Sequence, residues 1–389
     1  MIPITKPFFG PEEFRAVQLP LESGWVVQGS FVKKFEEMFS SFSGATFSIA
    51  TTSCTTALHI AVAVLGLKAG DEVIVPAFTW VSTPNVVEYM GAKPIFCDID
   101  LGNFNIDTEQ IEGWITPKTV GIIPVHLFGL CADLNPVLEI AKKHQLWVVE
   151  DAACGFGAYY HGKHAGTFGE IGCFSFHPRK SITTGEGGMI TTAKSEVDRL
   201  SRMLRDHGAS RTDFDRNDSK SGFLLSEYNH LGYNYRMTDI QGALGCAQME
   251  RGKWILEEKS KRARLYDQML ENMNWLKIPA VPDGYIHGYQ AYVCLFQPEP
   301  PALRNVEQLS RKRNDLMRRL EEKGIATRQG THAPVIQGYY VEKYGLKPDQ
   351  FPKAYLADRL SLTLPLYVQM TEVEQEMVCQ ALRKEFENG

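Results

Sequence analysis

The 389-residue chain has no excess of basic residues, no closely paired cysteines and no long apolar run, and each shortage removes a class of function. With 41 Lys and Arg against 46 Asp and Glu the formal net charge is −5, so the chain carries no basic footprint for nucleic acid. Eight cysteines are scattered without a C-x-x-C pair, and Cys97, Cys173 and Cys294 lie in apolar runs. Reduced packing thiols in a cytoplasmic protein are therefore expected, and no metal ligand set is read. The first residues reach Lys6 and Pro11-Glu-Glu13 without an apolar h-region, and no run approaches membrane-spanning length. Neither secretion nor membrane anchoring is expected. No repeat recurs at solenoid periods. What the chain does have is length and 44% hydrophobic content, enough for two domains with extended cores.

The most informative stretch is Gly172–Gly188, GCFSFHPRKSITTGEGG. Cys173–Phe176 has strand composition and Pro178 cannot donate to a ladder, so the strand is predicted to end near His177, with Lys180 at its exit. A lysine attacks a carbonyl only where its ammonium is destabilised, in a cramped and partly desolvated site. Read alone, Lys180 is an ordinary solvated lysine, and its neighbours must decide. Asp151 closes the apolar run Leu146-Trp-Val-Val-Glu150 and opens Asp-Ala-Ala-Cys-Gly155. Ligands of open α/β sheets gather beyond the carboxyl ends of such buried parallel strands. An aspartate there holds a pyridinium nitrogen protonated or, equally, caps the next turn. Glu150 beside it reads as ordinary packing or a surface pair. Ser53-Cys-Thr-Thr-Ala-Leu-His-Ile-Ala is predicted to begin a capped helix that Gly66 stops. Its free amides, with the Thr55 hydroxyl, make a phosphate seat, although most hydroxyl-rich helix starts are caps only. Trp80 follows the strand Glu72-Val-Ile-Val-Pro76, placed to stack on a flat ring or to fill the core.

In their order these pieces resemble the fold type I enzymes of pyridoxal 5'-phosphate (PLP), and specifically the DegT/DnrJ/EryC1/StrS family of sugar aminotransferases. The resemblance covers nearly the whole chain. It begins at Ile2-Pro3 and Ser23-Gly24-Trp-Val-Val-Gln-Gly29 and runs through Cys54-Thr-Thr-Ala-Leu58, Pro76-Ala-Phe-Thr-Trp80 and Glu150-Asp-Ala-Ala153. It continues in Phe174-Ser-Phe-His-Pro-Arg-Lys180, Thr184-Gly-Glu-Gly-Gly188 and Gly232-Tyr-Asn-Tyr-Arg-Met237, and ends at Leu362-Thr-Leu-Pro365. The fold it implies is α/β, a large domain with a mostly parallel seven-stranded sheet flanked by helices plus a smaller C-terminal α+β domain. The division expected is an N-terminal arm and large PLP-binding domain over 1–250 and a small domain over 251–389.

The resemblance also implies roles. Lys180 would carry the PLP cofactor in Schiff-base linkage and then move protons, Asp151 would pair with the pyridine nitrogen, and Trp80 would cover one ring face. Cys54 and Thr55 would present amides to the phosphate, Thr55 its hydroxyl as well, and Ser175 would reach the same group. Asn234 would come from the partner subunit of a homodimer with shared active sites. Without the family, Ser175 reads as a buried hydroxyl and Asn234 as a turn residue. Arg328 and His332 fall in a loop that faces the site, and are expected at the substrate rim. His177 reads as structural, Arg236 as a brace for the Asn234 loop, and Glu186 as a brace for its own glycine turn. Two positions depart from the commonest pattern: Cys54 stands where many relatives have glycine, and Cys154 where glutamine or histidine often touches the ring oxygen. A thiol is a weak substitute there. The family's dehydratases replace the lysine by histidine; Lys180 is retained, which favours transamination.

The activity implied is transfer of an amino group from L-glutamate to a keto group of a nucleotide-linked deoxysugar, in a ping-pong cycle serving surface polysaccharide or glycoside biosynthesis. The alternatives are the same chemistry on a free cyclic ketone of the keto-inositol type and a non-catalytic regulatory protein on the same fold.

Strands are predicted at Val73–Pro76, Pro94–Asp98, Val120–His126, Leu146–Glu150, Gly172–Phe176 and Met189–Thr192, with helices between them. Gly208–His230 reads as a mobile loop. From Thr238 a helical spine is expected to run to Met249, pause near Gly252 and resume to about Met273. A strand at Tyr292–Phe296 and helices at Gln308–Lys323 and Glu372–Phe386 complete the small domain.

Overall fold

The computed structural model describes residues 1–210 and 225–387. Residues 211–224 of the predicted loop Gly208–His230 thus lie outside the described residues. The chain opens with helices α1 (Pro11–Ser23) and α2 (Ser30–Ser43), and then builds a seven-stranded sheet. Its members are β1 (Phe47–Thr51), β2 (Glu72–Pro76), β3 (Lys93–Cys97), β4 (Thr119–Ile122), β5 (Trp147–Asp151), β8 (Ile171–Ser175) and β9 (Gly188–Thr192). The two-residue strands β6 (Tyr159–Tyr160) and β7 (Lys163–His164) form a separate hairpin, joined by β11 (Tyr285–Ile286).

Strand order is β1-β9-β8-β5-β4-β2-β3. Pairing from β8 through β5, β4 and β2 to β3 is parallel, and only the contacts of β9 with β8 and β1 are antiparallel. The expected mostly parallel seven-stranded sheet is therefore present. Its apolar runs are buried because crossover helices cover both faces, among them α3 (Cys54–Val64), α4 (Ser82–Tyr89), α5 (Leu134–His144) and α6 (Ser195–Arg205). The strand absent from the prediction is β1. At Phe47–Thr51 it is short and carries a serine and two flanking hydroxyl-rich residues, so its composition does not stand out from a loop. Val120–His126 is cut to β4: the Ile123 amide makes a last bond to the Ile74 carbonyl of β2 at 2.9 Å, and beyond it pairing survives as the isolated bridge of Val125 with Asp151.

Helix α7 (Asp239–Leu270) corrects the predicted pause near Gly252, since it runs unbroken for 32 residues. Gly252 is there for space: a Cβ would meet the Phe156 ring at 3.0 Å. The helix starts in a capping box, with Gln241 N–H on Thr238 Oγ1 at 3.3 Å and Thr238 N–H on Gln241 Oε1 at 3.0 Å. Asp239, buried at its first position, accepts the Gly29 and Val32 amides at 2.8 and 3.0 Å and so caps α2 from over two hundred residues away. Beyond α7 come β10 (Leu276–Lys277), β12 (Tyr292–Phe296), α8 (Val306–Glu322), α9 (Gly338–Tyr344), α10 (Pro352–Leu360), β13 (Ser361–Leu364) and α11 (Glu372–Glu387). β10, β12 and β13 form an antiparallel sheet whose core joins α7 through Tyr266 and Leu270. No helix among the described residues is long and apolar enough to cross a membrane.

One buried ion pair ties α2 to the sheet edge. Glu36 accepts the Ala50 amide at 2.9 Å, Arg205 at 2.6 Å and Arg202 at 2.7 Å, while Arg205 also donates to the Ala50 carbonyl. Burial alone raises this carboxyl, and the Arg205 and Arg202 charges more than offset that, leaving it below its ordinary value. Glu36→Ala would strand Arg205 without its counter-charge. Urea unfolding at neutral pH should show a loss of about 3–5 kcal/mol; a loss below ~1 kcal/mol, typical of exposed pairs, would contradict this role.

Candidate active site

A cavity of about 680 Å³ opens beyond the carboxyl ends of β2, β5 and β8. It gathers Cys54, Thr55, Trp80, Asp151, Cys154, Ser175, Lys180, Arg328 and His332 on one wall or another. Nine of the ten residues singled out in the sequence therefore share a site. Asn234 does not line it: it is exposed, in a strip bridged to Asp206. Arg236 meets the bracing role expected of it, pairing with Asp206 at 2.5 Å.

Three elements deliver the groups. At the start of α3, Ser53 Oγ accepts the Thr56 amide at 3.2 Å and Thr56 Oγ1 accepts the Ser53 amide at 3.0 Å. The cap thus reaches past the amides of Cys54 and Thr55, which as first-turn donors have no intrahelical partner and stand at the cavity wall. The Cys54 side chain points away, its thiol donating to the Cys173 carbonyl at 3.5 Å in the core, where burial pushes it far above the ordinary thiol range. A side chain at this position is accommodated because it packs inward. The glycine that matters is Gly188, whose Cβ would strike the Ser53 carbonyl oxygen at 2.3 Å and the Cys54 nitrogen at 2.7 Å. The Thr55 hydroxyl lies 2.8 Å from Ser82 Oγ.

Asp151, at the end of β5, is 4% exposed. Its Oδ2 accepts from the Thr83 hydroxyl at 2.7 Å and its Oδ1 from the Ala153 amide at 3.1 Å, and Thr79 lies 3.0 Å behind Thr83. Burial nevertheless raises its carboxyl, since two neutral donors do not replace water around a full charge. A cationic partner in the cavity would relieve that cost. Glu150, expected as a packing or surface group, is fully buried: it accepts the amides of Gly166, Phe168 and Gly169 and the His126 Nε2 proton at 2.9 Å. The Ala132 amide donates to His126 Nδ1, which places the ring proton on Nε2.

Lys180 leaves the β8 exit by a turn, its amide on the His177 carbonyl at 2.8 Å, and its Nζ donates to Cys154 Sγ at 3.1 Å. His177 stands on the cavity wall with Nδ1 accepting the Arg179 amide at 3.2 Å; burial lowers its pKa first, Glu186 opposes this, and nearby Arg179, Lys180 and Arg328 add to it. Trp80 is 56% exposed over the cavity mouth, 5.8 Å from the His332 ring, and the Thr79 amide donates to the His332 carbonyl. The arrangement offers an amine nucleophile, an anion seat of helix amides and a buried carboxylate.

Sequence reasoning missed Thr83, Gln290 and Lys259. Thr83 carried a signal, three residues beyond Trp80 on the next helix. Lys259 carried none, sitting in a charged stretch of α7. It is 3% exposed, donating to the Gln290 carbonyl at 3.0 Å and to Ser181 Oγ at 3.4 Å.

Comparison with known proteins follows the same outline. The model of the DegT/DnrJ/EryC1/StrS aminotransferase family matches residues 8–383. The spore coat polysaccharide biosynthesis protein SpsC of Bacillus subtilis is 34% identical over 382 residues, covering 98% of this chain and 96% of that protein. The GDP-perosamine synthase of Caulobacter vibrioides is 36% identical over 364 residues, 93% of this chain and 92% of its own. The PLP-form of the putative sugar aminotransferase Spr1654 from Streptococcus pneumoniae superposes with a TM-score of 0.90 at 26% identity, covering 100% of this chain and 99% of that one.

Burial pulls Lys259 down from 10.5 to about 7, with Cys154 opposing and Lys180 adding to the effect. Between those values the unfolded chain holds a proton the folded chain lacks, so this residue makes stability rise with pH, and its penalty is fully present below about 7. In the cofactor-free protein, Tm measured from pH 7 to 9 should climb more in wild type than in Lys259→Met. Parallel curves would show that Lys259 does not titrate in this range.

Proposed function

The chain belongs to the DegT/DnrJ/EryC1/StrS aminotransferase family, and from that premise we propose that it moves an amino group from L-glutamate to a keto group of a nucleotide-linked deoxysugar, using pyridoxal 5'-phosphate. The observation that carries this reading is one cavity holding Lys180, the buried Asp151 and the free amides at the start of α3. The name of the Caulobacter relative supports a nucleotide-linked sugar, and that of the Bacillus relative supports polysaccharide biosynthesis. The Streptococcus structure supports the cofactor.

The residues present fit this group. The Cys54 and Thr55 amides, with the α3 dipole and the Ser175 and Thr55 hydroxyls, suit a phosphate. Asp151 suits a protonated ring nitrogen, whose charge would offset the burial that now raises its carboxyl. Trp80 suits a ring face. When bound, the cofactor supplies an electron sink for the bond broken beside the amine.

Lys180 is the group that does the moving. Its Nζ would hold the cofactor and, once freed, would take the proton from the donor's α-carbon and return a proton on the acceptor side. Cys154 holds the Nζ by a single weak thiol contact, which leaves the amine free to swing. Thr83 and Ala153 fix the Asp151 carboxylate at both oxygens, so it is oriented before the ring arrives. The carboxylate is thus held by one donor from α4 and one from the loop after β5. Asn234, outside its own cavity lining, would reach the phosphate of the partner subunit's site in a homodimer. The domain division near residue 250 is part of the same reading, with Arg328 supplied by the small domain.

Borohydride reduction of PLP-loaded protein, followed by peptide mapping, should place the covalent label on Lys180, and Lys180→Ala should lose turnover by at least about a thousandfold. A label elsewhere overturns the assignment. Activity with glutamate confined to free cyclic ketones would replace the nucleotide-sugar reading.

Mixing Asn234→Ala chains with Lys180→Ala chains should restore part of the activity, since one site of each mixed dimer keeps both residues. Verified mixed dimers without recovery would remove the shared site.

A further inference from the structure

Lys259 stands in the middle of α7, behind the cavity wall and 3% exposed. Its ammonium donates to the Gln290 carbonyl at 3.0 Å and to Ser181 Oγ at 3.4 Å. The side-chain amide of Gln290 in turn holds the Arg179 carbonyl at 2.8 Å. The residues on both sides of Lys180 are therefore tied to one buried amine. The titratable groups that bear on that amine are Cys154 from the loop after β5, Lys180 from the turn after β8 and His287 ahead of β12. No carboxylate among the described residues bears on it, and Glu258, the preceding residue of α7, is paired with Arg262 at 2.5 Å.

Anchoring alone does not call for an ammonium. Along the same loop α7 holds the Thr183 amide with Gln248 Oε1 at 3.3 Å, and Gln248 is a neutral residue, 1% exposed. A buried cation between neutral partners is costly, because a carbonyl and a hydroxyl do not return the hydration of a full charge. The charge of Lys259 has a different consequence, since it and Lys180 oppose each other as like charges. A cation set beside a working amine disfavours a second positive charge there, which is one of the two ordinary ways of keeping a lysine nucleophilic.

We propose that Lys259 is a positioning residue for Lys180, fixing the turn that carries it and opposing positive charge on its nitrogen. This rests on the aminotransferase reading above. Lys259 and Ser181 do not line the cavity, so the effect reaches the reaction through Lys180 and not through contact with a ligand. In the cofactor-loaded protein, the nitrogen that joins Lys180 to the cofactor carries a proton and a positive charge at low pH. An ammonium behind it favours loss of that proton. Without the ammonium the proton should persist to higher pH, whereas a guanidinium, which stays charged throughout, should not retain it longer than wild type does.

The test is the visible absorbance of the PLP-loaded protein followed across pH, which reports that proton without turnover. Lys259→Met should move the midpoint up by about half a pH unit or more, and Lys259→Arg should leave it at or below the wild-type value. Ser181→Ala, which removes a partner and keeps the charge, should leave the midpoint in place. Lys259→Gln replaces the methionine variant if that one does not fold. A variant that does not hold cofactor is read by the rate at which acetic anhydride acetylates Lys180 at fixed pH, about threefold slower in the neutral variants. A midpoint unmoved or lowered in the neutral variants, raised by Lys259→Arg, or moved as far by Ser181→Ala overturns the proposal, as does an unchanged acetylation rate. The function it rests on fails separately, by absence of a borohydride-trapped label on Lys180 in wild type.

Discussion

The parallel pairing of β5 with β8, which sets Asp151 opposite Cys173, is the constraint on which the site depends. From that register Ser175 stands two residues beyond the aspartate's level and Lys180 follows within one turn. The neighbouring antiparallel ladders extend the same row. Gly188 pairs with Ser175 on one side and Thr51 on the other, and Thr51 leads directly to the amides at the start of α3. A residue with a side chain at 188 would collide with the Ser53 carbonyl, so the close approach of strand and helix is available to glycine. One line of backbone hydrogen bonds thereby aligns an aspartate, a serine, a lysine and a helix terminus taken from segments far apart in the chain.

Buried charge is met in different ways. Glu36 is enclosed by the guanidiniums of Arg205 and Arg202, which supply full counter-charge. At the cavity Lys259 has a carbonyl and a hydroxyl for partners and Asp151 has two neutral donors, so burial stays costly at both, since nothing there returns the lost hydration of a full charge.

Much of this organisation was legible in the chain. Apolar runs with turn residues between them identified the central strands, since strands buried on both faces have nowhere to place polar side chains. The run around Lys180 and the segment after β5 placed the lysine and aspartate at strand ends, because glycine, proline and small residues mark where a strand stops, and the resemblance of the ordered motifs to the family supplied their expected roles. Less was visible where composition was ambiguous. β1 is brief and hydroxyl-bearing, and Gly252 looks like a helix break when it is a fit against Phe156.

The sequence by itself placed the central strands and the capped start of α3, which rest on local propensity within a few residues, and singled out Lys180 and Asp151 through the order of motifs along the chain rather than through either residue alone. Tertiary structure alone decided which of the many charged residues are buried without a counter-charge, and so brought Lys259 to the Gln290 carbonyl and the Ser181 hydroxyl behind Lys180. The reason is that desolvation depends on neighbours from distant segments. A lysine in the middle of a charged helix reads as solvated until segments distant in the chain, here those of Ser181 and Gln290, close over it.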